Sequence, residues 1–368
     1  MKAWNAVIVG GGVAGAAAAV RLAQQNQRVL LLEKETGPHD KVCGEFISAE
    51  AARFLGSLGL DPSALGGQRI TALRLVRNDK VAAITLPFEG LSLSRRALDE
   101  TMLIHAERCG AEIRRGAKVT AIEKIDEKWR VKVSDEETII TTNVFLATGK
   151  HDLRGWNRTD APQEYIGFKL HYRLVPAQQR RLADHVEMVL FDGGYAGLEP
   201  VEDGKANLCL IVTRNKFAAH AKNWDRLLTA ILNDTPPLVE RLGGATPCWP
   251  KPLAISGIPY GFVYEPGSAD PEGFYRLGDQ MAVVPSLFGQ GMNIALHTAF
   301  LAVHCHMRGR SHAYHAMARD DISPLIRRTS RLARLAKYGW IQKKALDLFC
   351  ARPDFLIEVA KYGRIARV

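Results

Sequence analysis

A strand, a glycine-rich turn, a helix and a second strand follow one another in the run AVIVGGGVAGAAAAVRLAQQNQRVLLLE near the start of the chain. The turn carries Gly10, Gly12 and Gly15 in a Gly-x-Gly-x-x-Gly spacing. In such a turn the first glycine permits the sharp bend, the second lets the backbone approach a pyrophosphate, and the third lets the helix pack closely on the strand. The helix presents free N–H groups to the phosphates. The run therefore predicts a parallel βαβ unit that binds a dinucleotide.

The second strand of this unit ends in an acidic residue, Glu33, eighteen positions after Gly15. A carboxylate at this place accepts hydrogen bonds from ribose hydroxyls and disfavours a 2′-phosphate. FAD or NAD therefore fits better than NADP. Ala14 in the turn and Lys34 beside Glu33 belong to the predicted cofactor site.

A second glycine-rich stretch, YRLGDQMAVVPSLFGQGMNIAL, comes far later in the chain. It resembles the late strand–turn–helix element of the para-hydroxybenzoate hydroxylase and geranylgeranyl reductase superfamily of FAD enzymes, in which the strand ends in Gly-Asp. The resemblance implies that Asp279, after Gly278, accepts a hydrogen bond from a ribityl hydroxyl. Pro285 and the turn from Gly289 would lie along the flavin ring. The helix beginning near Gly291 would point its N-terminus at the ring, where its dipole stabilises anionic reduced flavin by about 1 kcal/mol.

Two further stretches resemble the same superfamily. LSLSRRALDE resembles its Arg-x-x-Leu-Asp segment and implies that Arg95 contacts the cofactor; the alternative is an ordinary helix start capped by Ser94. NVFLATG resembles the strand that returns beneath the adenosine, with Thr148-Gly149 where the superfamily usually has Asp-Gly. The resemblance covers roughly residues 3–55, 90–155 and 270–305.

The substrate side is predicted from the segment KVCGE, which resembles a Cys-Gly-Glu segment of geranylgeranyl reductase-like flavoproteins near the flavin and substrate. Cys43 is therefore a candidate proton donor or polar contact, or else a small buried thiol. Glu45 is a candidate general acid, or an acidic residue at the start of the helix expected from Ser48. The run GYAGLEPVEDGKANLCLIV predicts a β-hairpin around Asp-Gly. It adds Tyr195 to the catalytic candidates, and Gly197 would leave room for a flat or long apolar substrate.

Composition and charge exclude several classes of protein. Apolar residues make up 47% and charged residues 24% of the chain, as in ordinary soluble domains. No apolar run reaches the roughly 18 residues of a membrane-spanning helix. The six cysteines are scattered without a Cys-x-x-Cys pair, which argues for reduced thiols and a cytoplasmic protein, and no metal site is predicted. Most of the formal net charge of +10 lies in the last sixty residues, so we expect no nucleic-acid partner.

The basic tail has two interpretations. Leu325, Leu332 and Leu335 recur at helical spacing between arginines. One interpretation is an amphipathic element that rests on an anionic membrane surface and makes the protein peripheral to the inner membrane face. The alternative is a packing helix with a solvated basic face.

The predicted fold class is α/β: a glutathione-reductase-type, Rossmann-like FAD-binding domain interleaved with a mostly antiparallel β-sheet substrate domain, followed by a helical C-terminal tail. We expect a monomer or a dimer. The predicted units are an FAD-binding domain of residues 1–68, 90–160 and 268–308, a substrate domain of residues 69–89 and 161–267, and a tail of residues 309–368.

The expected function is that of an FAD-dependent oxidoreductase, a monooxygenase that uses reduced flavin and O₂ to hydroxylate a hydrophobic or aromatic small molecule. Gly291-Met292-Asn293 favours this reaction because it resembles the hydroxylases, and Met292 and Asn293 join the predicted flavin contacts. The alternatives are a geranylgeranyl reductase-like reduction of carbon–carbon double bonds, favoured by the Cys-Gly-Glu segment, and a non-catalytic flavin-binding protein. Since no second Gly-x-Gly-x-x-Gly follows a strand, NAD(P)H would bind transiently or a separate reductase would supply electrons.

Overall fold

The computed structural model describes residues 4–134, 137–158, 164–267 and 270–364. The strands are β1 Ala6–Val9, β2 Val29–Leu32, β3 Phe46–Ile47, β4 Gln68–Arg77, β5 Lys80–Ser92, β6 Glu112–Arg114, β7 Val119–Ile125, β8 Lys128–Val133, β9 Thr138–Thr141, β10 Val144–Leu146, β11 Tyr165–Arg173, β12 Asp184–Phe191, β13 Gly194–Val201, β14 Lys205–Thr213, β15 Thr246–Pro247, β16 Leu253–Ile258 and β17 Phe274–Arg276. The helices are α1 Val13–Gln24, α2 Ala49–Ser57, α3 Arg95–Arg108, α4 Pro176–Leu182, α5 Arg214–Ala219, α6 Trp224–Asn233, α7 Pro236–Leu242, α8 Gly291–Met307, α9 Tyr314–Leu335, α10 Gly339–Ala351 and α11 Pro353–Tyr362.

A five-stranded parallel sheet, in the order β17-β10-β1-β2-β6, carries both glycine-rich turns. β1 and β2 are fully buried runs of Ala, Val, Ile and Leu, as expected where helices cover both faces of a sheet. Because the strands are parallel, their carboxyl ends at Val9, Leu32, Leu146 and Arg276 meet at one edge. This edge is where ligands bind in open α/β sheets, and it confirms the predicted Rossmann-like unit.

The second sheet has nine strands in the order β15-β11-β14-β13-β12-β4-β5-β3, with β16 also paired to β11. Its pairings are antiparallel, apart from the parallel pair of β12 and β4. A three-stranded antiparallel meander, β7-β8-β9, stands apart from it. The predicted mostly antiparallel substrate sheet is therefore confirmed, while the proposed domain boundaries stay a prediction.

The predicted hairpin is formed by β13 and β14, which pair along their whole length. Asp203 and Gly204 connect them with φ angles of 60° and 67°. Left-handed backbone of this kind suits Asp and Gly at a hairpin turn. Since side chains alternate along a strand, Tyr195, Gly197 and Glu199 share one face of β13.

Two of the C-terminal helices, α10 and α11, cover the substrate sheet, whereas α9 packs beside α8. In α9, Leu325 and Ile326 are buried in the main core, so its apolar face packs inward, as the packing interpretation of the tail expects. α10 and α11 lie against β4 and β5 and bury Leu346 and Leu356 there. At the end of α11, Gly363 is so close to Phe288 that a methyl group on the glycine would lie 2.2 Å from Phe288 Cδ1. Among the described residues, no helix combines the length and the apolar character that crossing a bilayer requires.

Candidate active site

The first glycine turn has the shape of a phosphate cradle. Gly10 has a φ of 107°, and a methyl group there would lie 2.4 Å from the carbonyl oxygen of Ala147. A methyl group on Gly15 would lie 1.9 Å from the carbonyl oxygen of Gly10, so helix and strand meet at this point with no room for a side chain. Gly12 precedes α1, and no side chain caps the helix. The first amide groups of α1 are therefore available to an anion.

Glu33 lies at the end of β2 and is buried. Its Oε2 accepts a hydrogen bond from the Gly11 amide at 2.6 Å, and its Oε1 accepts one from the Glu35 amide at 2.9 Å. These bonds fix the carboxylate beside the turn, where the sequence predicts a ribose. Lys34 is half exposed and forms an ion pair with Glu35 at 3.6 Å.

Two cations stand at the mouth of this cradle. A methyl group on Gly12 would lie 3.4 Å from Arg95 Nη2 and 3.7 Å from Lys41 Nζ. Asp99 holds both cations: it accepts from Arg95 Nε and Nη2 at 2.8 and 2.9 Å and from Lys41 Nζ at 2.8 Å. Burial opposes the charge of Asp99, but Arg95 and Lys41 outweigh burial and lower the pKa of its carboxyl group. Two cations held by one carboxylate suit a pyrophosphate. Ser94 caps the start of α3, as the alternative expects, and the contact of Arg95 with a cofactor stays a prediction.

The late glycine turn lies directly against the first one. Gly278 has a φ of 55°, and a methyl group on it would lie 3.3 Å from Ala14 Cβ. The Gly278 amide donates to Thr298 Oγ1 on α8 at 2.9 Å. Gln280 Nε2 donates to the carbonyl oxygen of Gly149 at 2.8 Å, which ties the late turn to the loop after β10. The two turns and the Thr148–Gly149 loop therefore form one site, although the sequence spreads them across the chain.

The start of α8 offers unsatisfied polar groups. α8 begins at Gly291, as predicted, and has no side-chain cap. Asn293 is fully buried; its amide nitrogen donates to Gln290 Oε1 at 2.9 Å, while its Oδ1 finds no hydrogen-bond partner among the described residues. Met292 is buried beside it. An orphaned buried acceptor next to a helix N-terminus fits a polar ring edge, so the residues present fit an FAD that extends from the first turn to the second.

The Cys-Gly-Glu segment leads from the cofactor site into a buried ion network. Glu45 is fully buried and has a φ of 66°. Its Oε1 accepts from the Arg95 amide at 2.7 Å and from Lys169 Nζ, and its Oε2 bonds to His171 Nε2 at 2.7 Å. The Glu45 amide donates to Cys43 Sγ at 3.3 Å. The second expectation for Glu45, an acid at the start of α2, is wrong, because Glu50 takes that place.

Lys169 is the buried cation of this network. It is fully buried on β11 and also lies 3.2 Å from Asp40 Oδ1. Burial would lower its pKa, but the carboxylates of Glu45 and Asp40 outweigh burial and raise the pKa of the ammonium group. Ligand atoms of Asp40, Glu45 and His171 all lie within 4.8 Å of one another, a spacing that a metal ion could use. The Lys169 ammonium group already supplies a positive charge to these carboxylates.

An apolar cavity of about 400 Å³ opens beside this network, between the substrate sheet and the C-terminal helices. Cys43, Glu45, Tyr195, Gly197 and Glu199 line it together with Asp279, Gly289, Gly291 and Met292 of the late turn and many aliphatic side chains. The predicted catalytic residues and part of the predicted flavin site therefore face one space.

Glu199 is the unexpected residue in the cavity wall. It is 2% exposed, and neither carboxylate oxygen has a hydrogen-bond partner among the residues that the structure describes. Burial, with further contributions from the Glu45 carboxylate and Cys43, raises its pKa well above the ordinary value, and this effect outweighs the opposing influence of the Ser92 hydroxyl and the Lys169 ammonium group. Burial therefore favours the protonated, uncharged form of the Glu199 carboxyl group inside an apolar space.

Two tyrosines separate this cavity from a second, more polar one of about 660 Å³. The hydroxyls of Tyr195 and Tyr260 both bond to Ser286 Oγ, at 2.6 and 2.8 Å. Burial raises the pKa of both phenols, so they stay neutral. Arg327 and Arg331 of α9 line the polar side.

Comparison with known families agrees with this geometry. The model of the family described as pyridine nucleotide-disulphide oxidoreductase matches residues 4–199, which is more than half of the chain. The chain belongs to this family. It is an FAD-dependent oxidoreductase, as the resemblance stated above implies. All six cysteines of this family member are free thiols, so the disulphide in the family's description is not carried over.

Curated relatives cover most of this oxidoreductase. The menaquinone reductase of Mycobacterium tuberculosis is 26% identical over 318 residues, which span 81% of this chain and 75% of the relative. Digeranylgeranylglycerophospholipid reductase 2 of Methanopyrus kandleri is 26% identical over 324 residues, which span 80% of this chain and 74% of the relative. Among solved structures, the flavin-dependent brominase Bmp2 superposes with a TM-score of 0.80 at 17% identity and covers 100% of this chain and 95% of its own. That likeness shows the fold alone.

Sequence reasoning missed the oxidoreductase's Glu199, Lys41 and Lys169. The alternation of β13 was a usable signal for Glu199, since it puts this carboxylate on the face of Tyr195 and Gly197. For Lys41 and Lys169 the sequence offers no comparable signal, because their partners are distant in the chain.

The roles of Cys43 and Tyr195 stay predictions. Pro285 begins the short turn that carries Ser286, and Thr148 donates its hydroxyl to the carbonyl oxygen of His151 at 2.7 Å.

Proposed function

We propose that the protein uses reduced FAD to saturate a carbon–carbon double bond in a long apolar substrate. The observation that carries this proposal is Glu199, a buried carboxyl group that makes no hydrogen bond among the described residues, in the wall of an apolar cavity that also meets the predicted flavin turn. A group of this kind is a proton donor, and protonation is half of the reduction of a double bond.

Saturating a double bond adds one hydride to one carbon and one proton to the other. FAD, when bound and reduced, supplies hydride chemistry at the cavity. Glu199 supplies the proton, because burial raises the pKa of its carboxyl group and favours the protonated form. Once the proton has left, a carboxylate remains in an apolar space near the charged Glu45, so its high proton affinity favours reprotonation. The acid is thereby restored for another turnover.

The cavity supports a hydrocarbon substrate. Gly197 presents no side chain to it, and Leu73, Leu86 and Phe349 are among the residues that make its wall apolar. Apolar walls favour hydrocarbon because burying it releases about 25 cal/mol per Å². The two relatives that span four fifths of the chain are both reductases, and the named substrate of one carries geranylgeranyl chains. We therefore propose that the substrate of this protein contains unsaturated isoprenoid units.

The hydroxylation predicted from Gly291-Met292-Asn293 is the competing reaction. Hydroxylation consumes O₂, whereas double-bond reduction proceeds without O₂. In either reaction we propose that NAD(P)H or a separate reductase supplies the electrons to FAD.

The test is a single-turnover experiment without O₂. The FAD-loaded protein is reduced anaerobically and mixed with geranylgeraniol, and the product is analysed by mass spectrometry while the visible absorbance of the flavin is followed. We expect flavin reoxidation and a product with two added hydrogens. Glu199→Gln should slow this step by roughly 10²–10⁴-fold, because the amide cannot donate a proton equivalent to that of the acid. Glu199→Asp should recover part of the rate.

Two outcomes contradict the proposal. Full anaerobic turnover by Glu199→Gln would remove the role of this acid. A product that gains oxygen, and only in air, would establish hydroxylation in place of reduction. As the control for cofactor binding, the flavin absorbance of Glu199→Gln and Glu199→Asp before the reaction should equal that of the unmodified protein.

A further inference from the structure

We propose that the outer faces of α10 and α11 dock the protein on a bilayer that contains anionic phospholipids. The docking surface comprises Tyr338, Trp340, Leu348, Phe355 and Tyr362 with the basic residues between them. Eleven large apolar side chains are exposed among the described residues, and six of them lie between residues 335 and 362. This concentration of exposed apolar groups marks an interaction surface.

The helices present these residues outward together. On α10, Trp340, Lys344 and Leu348 are four residues apart and share a face, and all are exposed. On α11, Phe355 and Tyr362 are two turns apart and equally exposed. Trp340 is 64% exposed, the largest value among these side chains. Trp and Tyr are the side chains that favour the interface between lipid and water.

Lys and Arg side chains lie close to the exposed aromatic rings of this surface. Lys344 Nζ lies 5.6 Å from the centre of the Trp340 ring, and the Arg352 guanidinium lies 5.3 Å from the centre of the Phe355 ring. Residues 331–364 contain eight Lys and Arg against three Asp and Glu, a net charge of +5. Protein interfaces are depleted in Lys, whereas aromatic and basic residues together suit an anionic headgroup layer. Charge complementarity therefore favours an anionic bilayer over a protein partner.

The inner faces of the same helices line the apolar cavity. Ile341, Ala345 and Phe349 of α10 and Leu356 and Val359 of α11 form part of its wall. The two helices therefore separate the cavity from the docking surface by one helix thickness. Docking would therefore hold the cavity within one helix thickness of the bilayer.

The test is co-sedimentation of the FAD-loaded protein with vesicles of phosphatidylcholine alone or mixed with phosphatidylserine, at low and high salt. We expect binding to the anionic vesicles that weakens as salt rises. Lys343→Gln with Lys344→Gln should weaken this binding by roughly 25-fold, since each basic residue contributes about fivefold. Trp340→Gln should also weaken binding to the anionic vesicles. The matched controls are Lys118→Gln with Lys128→Gln and Val239→Gln, which alter exposed residues elsewhere and should leave binding unchanged.

Absence of binding to anionic vesicles at low salt overturns the proposal, and so does equal weakening by the control variants. A concentration-dependent dimer that Trp340→Gln dissociates, without vesicle binding, would assign the surface to a second copy of the chain instead. Glu199→Gln should bind vesicles like the unmodified protein. Loss of the reaction and loss of docking are therefore distinguishable.

Discussion

Two glutamates line the same cavity in opposite surroundings. Glu45 is fully buried and receives hydrogen bonds from the Arg95 amide, Lys169 and His171. Glu199 is equally inaccessible, yet its carboxylate has no partner among the described residues. Neighbouring donors compensate a charge on Glu45, whereas a charge on Glu199 would receive no hydrogen bond from the described residues.

The difference indicates that the surroundings of a carboxyl group, and not its residue type, determine whether it carries a charge or keeps its proton. A paired carboxylate holds neighbouring groups in place, whereas an isolated one keeps its proton and can donate it. The two groups also act on each other, because the Glu45 charge raises the proton affinity of Glu199. The sequence indicates Glu45 as the candidate acid, and we propose Glu199 as the better donor.

The largest expected effect is on the paired member. Glu45→Gln should reduce the free energy of unfolding by about 3–5 kcal/mol, because it removes the buried carboxylate that pairs with Lys169 and His171 and leaves Lys169 with the less buried Asp40 alone. Chemical denaturation of the FAD-free protein measures this loss. The double variant Glu45→Gln with Lys169→Met should lose less than the sum of the two single variants, with a coupling of about 0.5–3 kcal/mol. Additive losses would show that the pair does not interact.

The Asp99 carboxylate, beside the predicted cofactor site, is paired with Arg95 and Lys41 and is therefore comparable to Glu45. Its pKa is lowered in the folded state, so its stabilisation is present above the ordinary pKa and is lost as pH falls through the lowered value. Asp99→Asn should therefore cost about 1–3 kcal/mol at neutral pH and progressively less in acid. Urea unfolding from neutral to acidic pH checks this, and a cost that does not change with pH would be evidence against ionic pairing.

The remaining effect concerns stability at the unpaired member, accumulates with pH and has the opposite sign. The raised pKa of Glu199 means that the folded state keeps a proton that the unfolded state releases above about pH 4.3. The unmodified protein therefore loses stability as pH rises, and Glu199→Gln does not share this loss. The stability of Glu199→Gln relative to the unmodified protein should grow by about 1.4 kcal/mol per pH unit up to the folded-state pKa. A constant difference would show that Glu199 is ionised in the fold.

Much of the cofactor site could be predicted because its determinants are local. β1, β2 and the start of α8 lie where the sequence predicts them, since strand, turn and helix signals there are adjacent in the chain. The close approach at Gly15 and the bend at Gly10 admit only glycine, so spacing alone identifies them. The late Gly278 turn needed the superfamily resemblance as well.

The substrate side could be predicted only in outline. The hairpin of β13 and β14 follows from its turn, but the pairing of Glu45 with Lys169 joins residues more than a hundred positions apart. Periodicity in the tail indicates amphipathic helices without saying which sheet they cover. α9 buries its apolar face, and α10 and α11 carry the exposed aromatic residues, a division that depends on tertiary packing.

The contact between Gly363 and Phe288 joins the end of the tail to the turn that we predict to lie along the flavin. A methyl group at position 363 would collide with the Phe288 ring, so only glycine allows this close packing. The packing of the last helix thus extends to the predicted coenzyme-binding turn.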